Sequence, residues 1–283
     1  MSAPVRLADS LARDFRFLEL NRVPLRDRVR LTFEKYASQG RALLGLLPVP
    51  AFLFAGRTYR VSTPTDAALL QRVLTDTYEC LEVFELIGQV GLTVIDVGAH
   101  NGETAIAWWT FLDEPDIYSF EPDPVSFSNA VANVGEFATA VHGLGLSDHA
   151  GEAPFETNRG SGGDATFALE EAAADRFTMV AVARGDDVLA GVSPDLVKID
   201  VEGYELHVVE GLRETLGRCR FLTIEMSLQR PKDHGFHEVA QVLAEHRYEL
   251  IGTGQPHGID SSRRTAIDLH FRRLTEEDPL LSR

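Results

Sequence analysis

Cysteine is nearly absent: Cys80 and Cys219 are the two among 283 residues, far apart and in no zinc or paired-thiol spacing. That scarcity argues against a disulfide framework or a structural zinc site, and reduced, buried thiols in a cytoplasmic protein are expected. Long hydrophobic runs are lacking too. The apolar stretch Ala42 to Ala55 is too short to span a bilayer and is interrupted by Gly45, Pro48 and Pro50, so no transmembrane segment is expected. No basic start leads into an apolar core and a small-residue cleavage site, so export is not expected either. Positive charge is in deficit, with a formal net charge of −16. Nucleic acid is a poor partner for such a chain, because phosphate binding relies on basic surface. The deficit is uneven: Met1 to Arg60 holds 11 Lys/Arg against 5 Asp/Glu, or +6, which leaves −22 for the rest. The basic segment suits an acidic partner, an anionic lipid headgroup or a sister subunit in a homo-oligomer, or simply solvated arginines on packed helices.

What is present is an ordinary globular composition, 44% apolar and 25% charged, enough for one substantial α/β domain with an N-terminal addition. Leu7, Leu11, Phe15 and Leu18 recur at helical spacing, as do Val29, Phe33 and Tyr36 after Pro24. Two amphipathic helices capping the main domain are expected from them. Phe52 to Phe54 and Thr58 to Val61 flank Ala55-Gly56-Arg57 as a short hairpin, followed by a helix from about Thr65 to Leu74. Residues 1–62 are therefore assigned to a helical and hairpin extension, and 63–283 to the main domain. Beyond Thr93, apolar strands alternate with helical patterns, which predicts an α/β fold with a doubly wound, mostly parallel sheet. Its seven strands are expected at Val94 to Val97, Ile117 to Phe120, Ala138 to Leu144, Leu196 to Ile199, Phe221 to Met226, Tyr248 to Thr253 and Ala266 to Phe271. The last two would form a terminal hairpin around Gly254 to Arg264. Gly160 to Asp164 reads as a mobile loop, either closing over a substrate or a plain surface excursion, and Phe177 to Val182 as an extra strand.

The stretch Val94 to Thr104 carries the strongest chemical signal: an apolar strand enters the turn Gly98-Ala99-His100-Asn101-Gly102 and passes directly into a helix. Glycines there let a ligand approach the backbone, at the strand ends where open parallel sheets bind nucleotides. Nineteen residues after Gly102, a second strand ends in Glu121, whose carboxylate can hold both hydroxyls of a ribose. The turn is not Gly-x-Gly-x-x-Gly, so a dinucleotide diphosphate is disfavoured. Asp96 and Glu121 instead suit a cationic ligand, and S-adenosylmethionine, with its sulfonium and ammonium groups, is preferred to NAD. A third strand ends in Lys198-Ile199-Asp200-Val201-Glu202-Gly203. Asp200 is read either as an N-cap of the following helix or as a functional acid, and Glu202 and Glu205 as complements to that helix's positive end. The spacing of His234, His237 and His257 matches no metal motif, and Trp108 and Trp109 are expected to pack.

Taken together, Val94 to Gly102, Phe120-Glu121-Pro122-Asp123, Gly145-Leu146-Ser147-Asp148 and Lys198 to Gly203 resemble the FkbM-type family of S-adenosylmethionine-dependent methyltransferases, over roughly Thr93 to Thr253. The resemblance implies a Rossmann-like class I methyltransferase fold and transfer of a methyl group to a hydroxyl of a sugar, glycolipid or polyketide-type small molecule. It implies that Asp96, Gly98, Ala99, His100, Asn101 and Gly102 form the methionine-side turn. Glu121 with Pro122 would hold the ribose, and Ser147 with Asp148 would approach the adenine. Tyr78 and Glu79 fall where the family's pre-core segment reaches the cofactor. His100 and Asn101 depart from the family's usual Asn followed by a small apolar residue. Asp200 is the first choice for a base or acceptor-orienting group beside the cofactor, and Glu225 the second. The same two acids offer an alternative, a shared Mg²⁺. Two other functions stay open: a cofactor-binding regulatory module without catalysis, and an NAD-dependent oxidoreductase. Glu121→Ala is expected to weaken cofactor binding and leave the fold intact.

Overall fold

A computed structural model describes residues 3–46, 51–61, 63, 65–156, 166–167, 177–227, 235–254, 257–258 and 265–276. The chain opens with helices α1 (Ala3–Glu19) and α2 (Leu25–Leu43), the hairpin β1 (Ala51–Phe54) and β2 (Arg57–Arg60), and helix α3 (Asp66–Val83). Strand β3 (Thr93–Val97), helix α4 (Glu103–Phe111), strand β4 (Asp116–Phe120), helix α5 (Pro124–Val134) and strand β5 (Ala140–His142) follow. Next come β6 (Gly145–Ser147), β7 (Gly151–Glu156), β8 (Thr166–Phe167), β9 (Phe177–Arg184) and the short helix α6 (Gly185–Val188). The last part holds β10 (Leu196–Ile199), α7 (Glu205–Gly211), α8 (Arg213–Leu216), β11 (Phe221–Ser227), α9 (Phe236–Glu245), β12 (Tyr248–Thr253), β13 (His257–Gly258) and β14 (Thr265–Arg273).

The main sheet runs β12-β14-β11-β10-β3-β4-β5, with β13 paired to β14. All seven expected strands are in it. The pairs β11–β10, β10–β3, β3–β4 and β4–β5 are parallel, and β14 is antiparallel to both β11 and β12. This is the doubly wound α/β fold that the alternating pattern predicts. The central strands are apolar on both faces because helices cover both: Val94, Ile95, Val97, Val197, Ile199 and Ile224 are buried. Consecutive strands leave β3 in opposite directions across the sheet, so the crevice between the ends of β3 and β10 is the switch point where such sheets bind ligands.

Several expectations are corrected. The third expected strand, Ala138 to Leu144, is confined to β5, and beyond Gly143 the chain enters a second sheet ordered β6-β9-β7-β8. A Cβ at Gly143 would lie 3.0 Å from the Phe127 ring, so a side chain in this bend would require that ring to shift. The extra strand at Phe177 belongs to that second sheet. Helix α3 does not stop near Leu74 but continues to Val83, through Tyr78, Glu79 and Cys80. Cys80 and Cys219 are both unpaired and buried. The segment Gly160 to Asp164, His234 and the side chain of Leu7 lie outside the described residues.

The N-terminal helices turn the opposite way from the expectation. Leu11, Phe15, Val29, Phe33 and Tyr36 are exposed, while Phe17, Leu20, Val23 and Leu31 are buried in one apolar cluster with Leu70 and Leu74 of α3 and Val94 of β3. Periodicity located an apolar stripe on each helix, but the buried side of α2 is Asp27, Leu31, Lys35 and Ser38, and the body is met by single apolar residues, Phe17 and Leu31, together with Leu20 and Val23 of the linker between the helices. Between α1 and α2 runs a polar seam in which Lys35 Nζ lies 2.6 Å from Asp14 Oδ1 and 2.9 Å from the Ser10 hydroxyl. Among the described residues no helix is long and apolar enough to cross a membrane.

Candidate active site

An open cleft of about 880 Å³, solvent at its mouth included, lies at the switch point. The glycine turn after β3 forms its floor. Gly98 has φ +87° and an added Cβ would stand 1.8 Å from the Asp200 carbonyl oxygen, so only glycine lets β3 and β10 end this close together. Gly102, at φ +90°, leaves room for Val134 of α5, whose Cγ1 would be 2.8 Å from an added Cβ.

Every amide from Gly98 to Gly102 is already engaged. Gly98 and Ala99 both donate to the Phe120 carbonyl, Gly102 donates to that of Ala99, and His100 donates to Glu121 Oε2 at 2.7 Å. The Asn101 amide donates to Glu103 Oε2 at 3.1 Å. A diphosphate seeks free amides in such a turn, and here carbonyls and carboxylates have taken them. The turn is thus built to present apolar backbone and acids.

Glu121 lines the cleft at the end of β4, nearly buried, and its second oxygen accepts the Asp123 amide at 2.7 Å. Burial lifts its carboxyl to about 7, against the pull of the Asp123 and His100 amides. His100 also lines the cleft. Burial would lower its imidazole, but Glu103, 3.2 Å away, lifts it to about 9, so the ring is a cation at neutral pH. The Tyr59 hydroxyl of β2 donates to the same Glu103, which ties the N-terminal hairpin to the turn. Asn101 is fully buried, and its side-chain amide donates to Asp66 of α3 and accepts from Asn129 of α5.

The other wall is made by β10. Lys198 and Asp200 stand two residues apart on one side of the strand, with Lys198 Nζ 2.8 Å from Asp200 Oδ2. Asp200 is not a helix cap: α7 starts at Glu205, with Tyr204 before it. Glu205 accepts the Gly203 amide at 2.7 Å, as expected of an acid at a helix start, but Glu202 lines the cleft. One carboxylate oxygen each from Asp200, Glu202 and Glu225 lie within 4.8 Å of one another.

A second cavity of about 460 Å³ adjoins the first. It is bounded by Asp76, Thr77, Trp108, Thr223, Glu225, Asp268 and His270, and it shares Arg72, Val73, Thr104, Lys198 and Asp200 with the cleft. Arg72 lies at this junction, with its buried Nε 4.0 Å from Asp76 Oδ2.

Glu121, Pro122, Gly98, Ala99, His100 and Asp200, all singled out in the sequence, line the cleft together, and Glu225 lines the neighbouring cavity. Asp96 does not line it. Its carboxylate is wholly buried behind the turn, both oxygens without a hydrogen-bond partner, and burial pushes it to about 7 while Lys198 pulls it down. Ser147 is buried against the Tyr204 hydroxyl at 3.1 Å, and Asp148 accepts from His149 and His207; their neighbours Gly145 and Leu146 reach the cleft instead. Tyr78 and Glu79 are elsewhere. Tyr78 packs edge-on against Phe111, and Glu79 pairs with Arg16 of α1 at 3.0 Å. His237 is exposed at the start of α9, Trp109 stacks on Phe137, and Trp108 is buried. Sequence reasoning missed Leu69, Arg72 and Val73 of α3, and Phe155 of the second sheet. No local motif marks them. Lys198 was findable, standing two residues before a strand-end acid.

Comparison with known proteins shows the family. The model of the methyltransferase FkbM domain matches residues 96–250, more than half of the chain. A hexuronic acid methyltransferase, AglP, of Haloferax volcanii is 28% identical over 156 residues, covering 53% of this chain and 60% of that protein. A 2-O-methyltransferase, NoeI, of Sinorhizobium fredii is 26% identical over 166 residues, covering 52% of this chain and 68% of that protein. A solved methyltransferase FkbM from Methylobacillus flagellatus KT aligns with a TM-score of 0.41 and 16% identity, over 86% of this chain and 60% of that one. The matched span includes or overlaps all four motifs, and the chain belongs to the FkbM methyltransferase family.

Proposed function

We propose that the protein transfers the methyl group of S-adenosylmethionine to a hydroxyl of a sugar-type acceptor. The observation that carries this reading is the pair of confluent cavities meeting at Arg72, Lys198 and Asp200. The larger ends at Glu121, an acceptor suited to a ribose diol. The smaller is lined by hydroxyls, carboxylates and an imidazole, groups that hydrogen-bond a polyhydroxylated molecule. The similar proteins named above act on a hexuronic acid and at a 2-hydroxyl, which supports the acceptor class.

The donor supplies an electrophilic methyl carbon: its C–S bond breaks as the new C–O bond forms, leaving S-adenosylhomocysteine. Glu121 holds the donor's ribose, the glycine turn meets its methionine side, and the Arg72 guanidinium stands at the junction beside Asp76. Asp200 orients the acceptor hydroxyl and takes its proton. A carboxylate paired with Lys198 is a weak base, but it suffices, because the hydroxyl becomes strongly acidic as its oxygen bonds to carbon. Closing the reacting atoms to about 3 Å in line supplies most of the acceleration. Glu225 takes part from the acceptor side.

The test is incubation of the protein with S-adenosylmethionine labelled in the methyl group and a panel of uronic acids, neutral sugars and glycolipids, with the product identified by mass. Label in a methyl ether supports the reading. Label on nitrogen or carbon, or donor binding without transfer to any hydroxyl, refutes it.

A further inference from the structure

The exposed apolar side chains of this protein are concentrated at one pole. Nine of the eighteen large apolar residues exposed among the described residues lie between positions 11 and 46, on α1, α2 and the turn after α2. Phe15 and Phe33 are 68% and 67% exposed, and Leu25, Val29, Phe33 and Tyr36 recur at helical spacing along α2. These residues have no role in holding the hairpin to the body, which is done by Phe17, Leu20, Val23 and Leu31. Monomeric soluble proteins seldom leave so continuous a stripe in water.

Basic groups accompany the stripe. Arg26 and Arg30 are exposed beside it, while Arg22 turns to Asp113 of the body at 3.5 Å, and the first 60 residues carry +6 against −22 for the remainder. We infer that the outer face of the α1–α2 hairpin docks on an anionic lipid bilayer, with Phe15, Leu25, Val29 and Phe33 entering the headgroup boundary and the arginines meeting lipid phosphates. A basic amphipathic helix whose apolar side is unburied has the composition of a segment lying in that interface. The charge division orients the molecule, since an anionic surface attracts this pole and repels the rest. A second copy fits less well. A two-fold contact would set this basic face against itself.

Docking leaves the clefts free. Helix α3 packs on α1 and α2 on one side and lines both cavities on the other with Arg72 and Val73.

The test is co-sedimentation of the full chain with mixed phosphatidylglycerol–phosphatidylcholine vesicles and with pure phosphatidylcholine vesicles, at low and high salt. The wild type is expected to partition on the order of tenfold or more in favour of the mixed vesicles at low salt, with release at high salt. The double variant Val29→Glu, Phe33→Glu alters exposed positions only; it should keep the wild-type circular dichroism melt and lose on the order of tenfold or more of the vesicle binding. Arg26→Glu with Arg30→Glu should abolish the preference for the anionic lipid. Three outcomes overturn the inference: no binding to mixed vesicles at low salt, binding unchanged in the Val29/Phe33 variant, or a wild-type dimer in sedimentation equilibrium that this variant splits, which would assign the face to a second copy.

Discussion

Glu121 ties together the turn, the cleft and the proposed donor, so replacing it is the sharpest test of the site. Each of its oxygens accepts one backbone amide at 2.7 Å, from His100 and from Asp123, and it is nearly buried. A hydrogen bond to a charged acceptor contributes about 1.5–3 kcal/mol, so a ribose diol bound through this carboxylate should lose at least about 100-fold in affinity when Glu121→Ala removes both acceptors. Glu121→Gln keeps one carbonyl oxygen and should lose about tenfold. The sequence-based expectation that the fold is untouched does not survive the structure. Both amides lose their acceptor in Glu121→Ala, and in Glu121→Gln one of them faces an NH₂, a cost of about 1–3 kcal/mol and a drop of several degrees in Tm.

The pH dependence makes the test specific. Free Glu121 is held at about 7, and donating hydroxyls favour its ionised form. Affinity for S-adenosylhomocysteine should therefore be flat above pH 7 and fall by up to about tenfold per unit below it, with protons released on binding near neutrality. On folding the sign is opposite. The native protein keeps this proton up to about 7 while the unfolded chain releases it near 4.5, so wild-type stability declines as pH rises through that window. Isothermal titration in buffers of different ionisation enthalpy reads affinity and proton release together. A flat wild-type profile from pH 5.5 to 8.5, or Glu121→Ala binding as tightly as wild type, would refute the assignment.

Asp96→Asn is expected to stabilise the protein at high pH. Burial holds Asp96 at about 7 against about 4 unfolded, a penalty of about 4 kcal/mol above pH 7, while an unpaired buried amide costs about 1–3 kcal/mol. The gain should be about 1–3 kcal/mol at pH 8 and vanish near pH 5, and a Tm difference independent of pH contradicts it. Asp200→Asn should lower kcat by about 100-fold or more with a much smaller change in donor affinity, and equal losses would make Asp200 a donor-binding residue. Chelation with EDTA should leave activity unchanged, because the Lys198 ammonium, 2.8 Å from Asp200, already brings positive charge to the carboxylates of Asp200, Glu202 and Glu225. Loss of activity restored by Mg²⁺ would show that these acids hold a metal.

The sheet was legible because its middle strands are buried on both faces and read as apolar runs interrupted by a single polar residue, Asp96 in Val94 to Val97 and Lys198 in Leu196 to Ile199. Helix α3 was cut short for the converse reason. Its buried face includes Asp66, Gln71, Thr75 and Thr77, so the apolar period fades although the helix continues to Val83. That continuation also explains Tyr78 and Glu79. On a continuous helix Tyr78 points away from the side bearing Asp76 and Cys80, and Glu79 falls at its edge, where Arg16 takes it. Arg72 could not be read from sequence, since only the packing of α3 across the strand ends makes it a wall of both cavities.

The glycine turn shows how much chemistry a short segment encodes once its acids are counted with its glycines. A loop made for phosphate must keep its amides free, and an acid at the first position of the following helix works against that, because it occupies the positive helix end an anion would use. Glu103 stands at that position directly after Gly102 and accepts the Asn101 amide, while Glu121 reaches back from the next strand to take the amide of His100. Asp96 is the acid of this region that does not line the cleft. It shares a face of the sheet with its register partner Lys198, but its short side chain is wholly buried and does not reach the cleft that the Lys198 side chain lines. Among acids near such a turn, the position along the strand and the reach of the side chain decide which one lines the cleft, as Glu121 does, and which one is left as a buried, titratable cost, as Asp96 is.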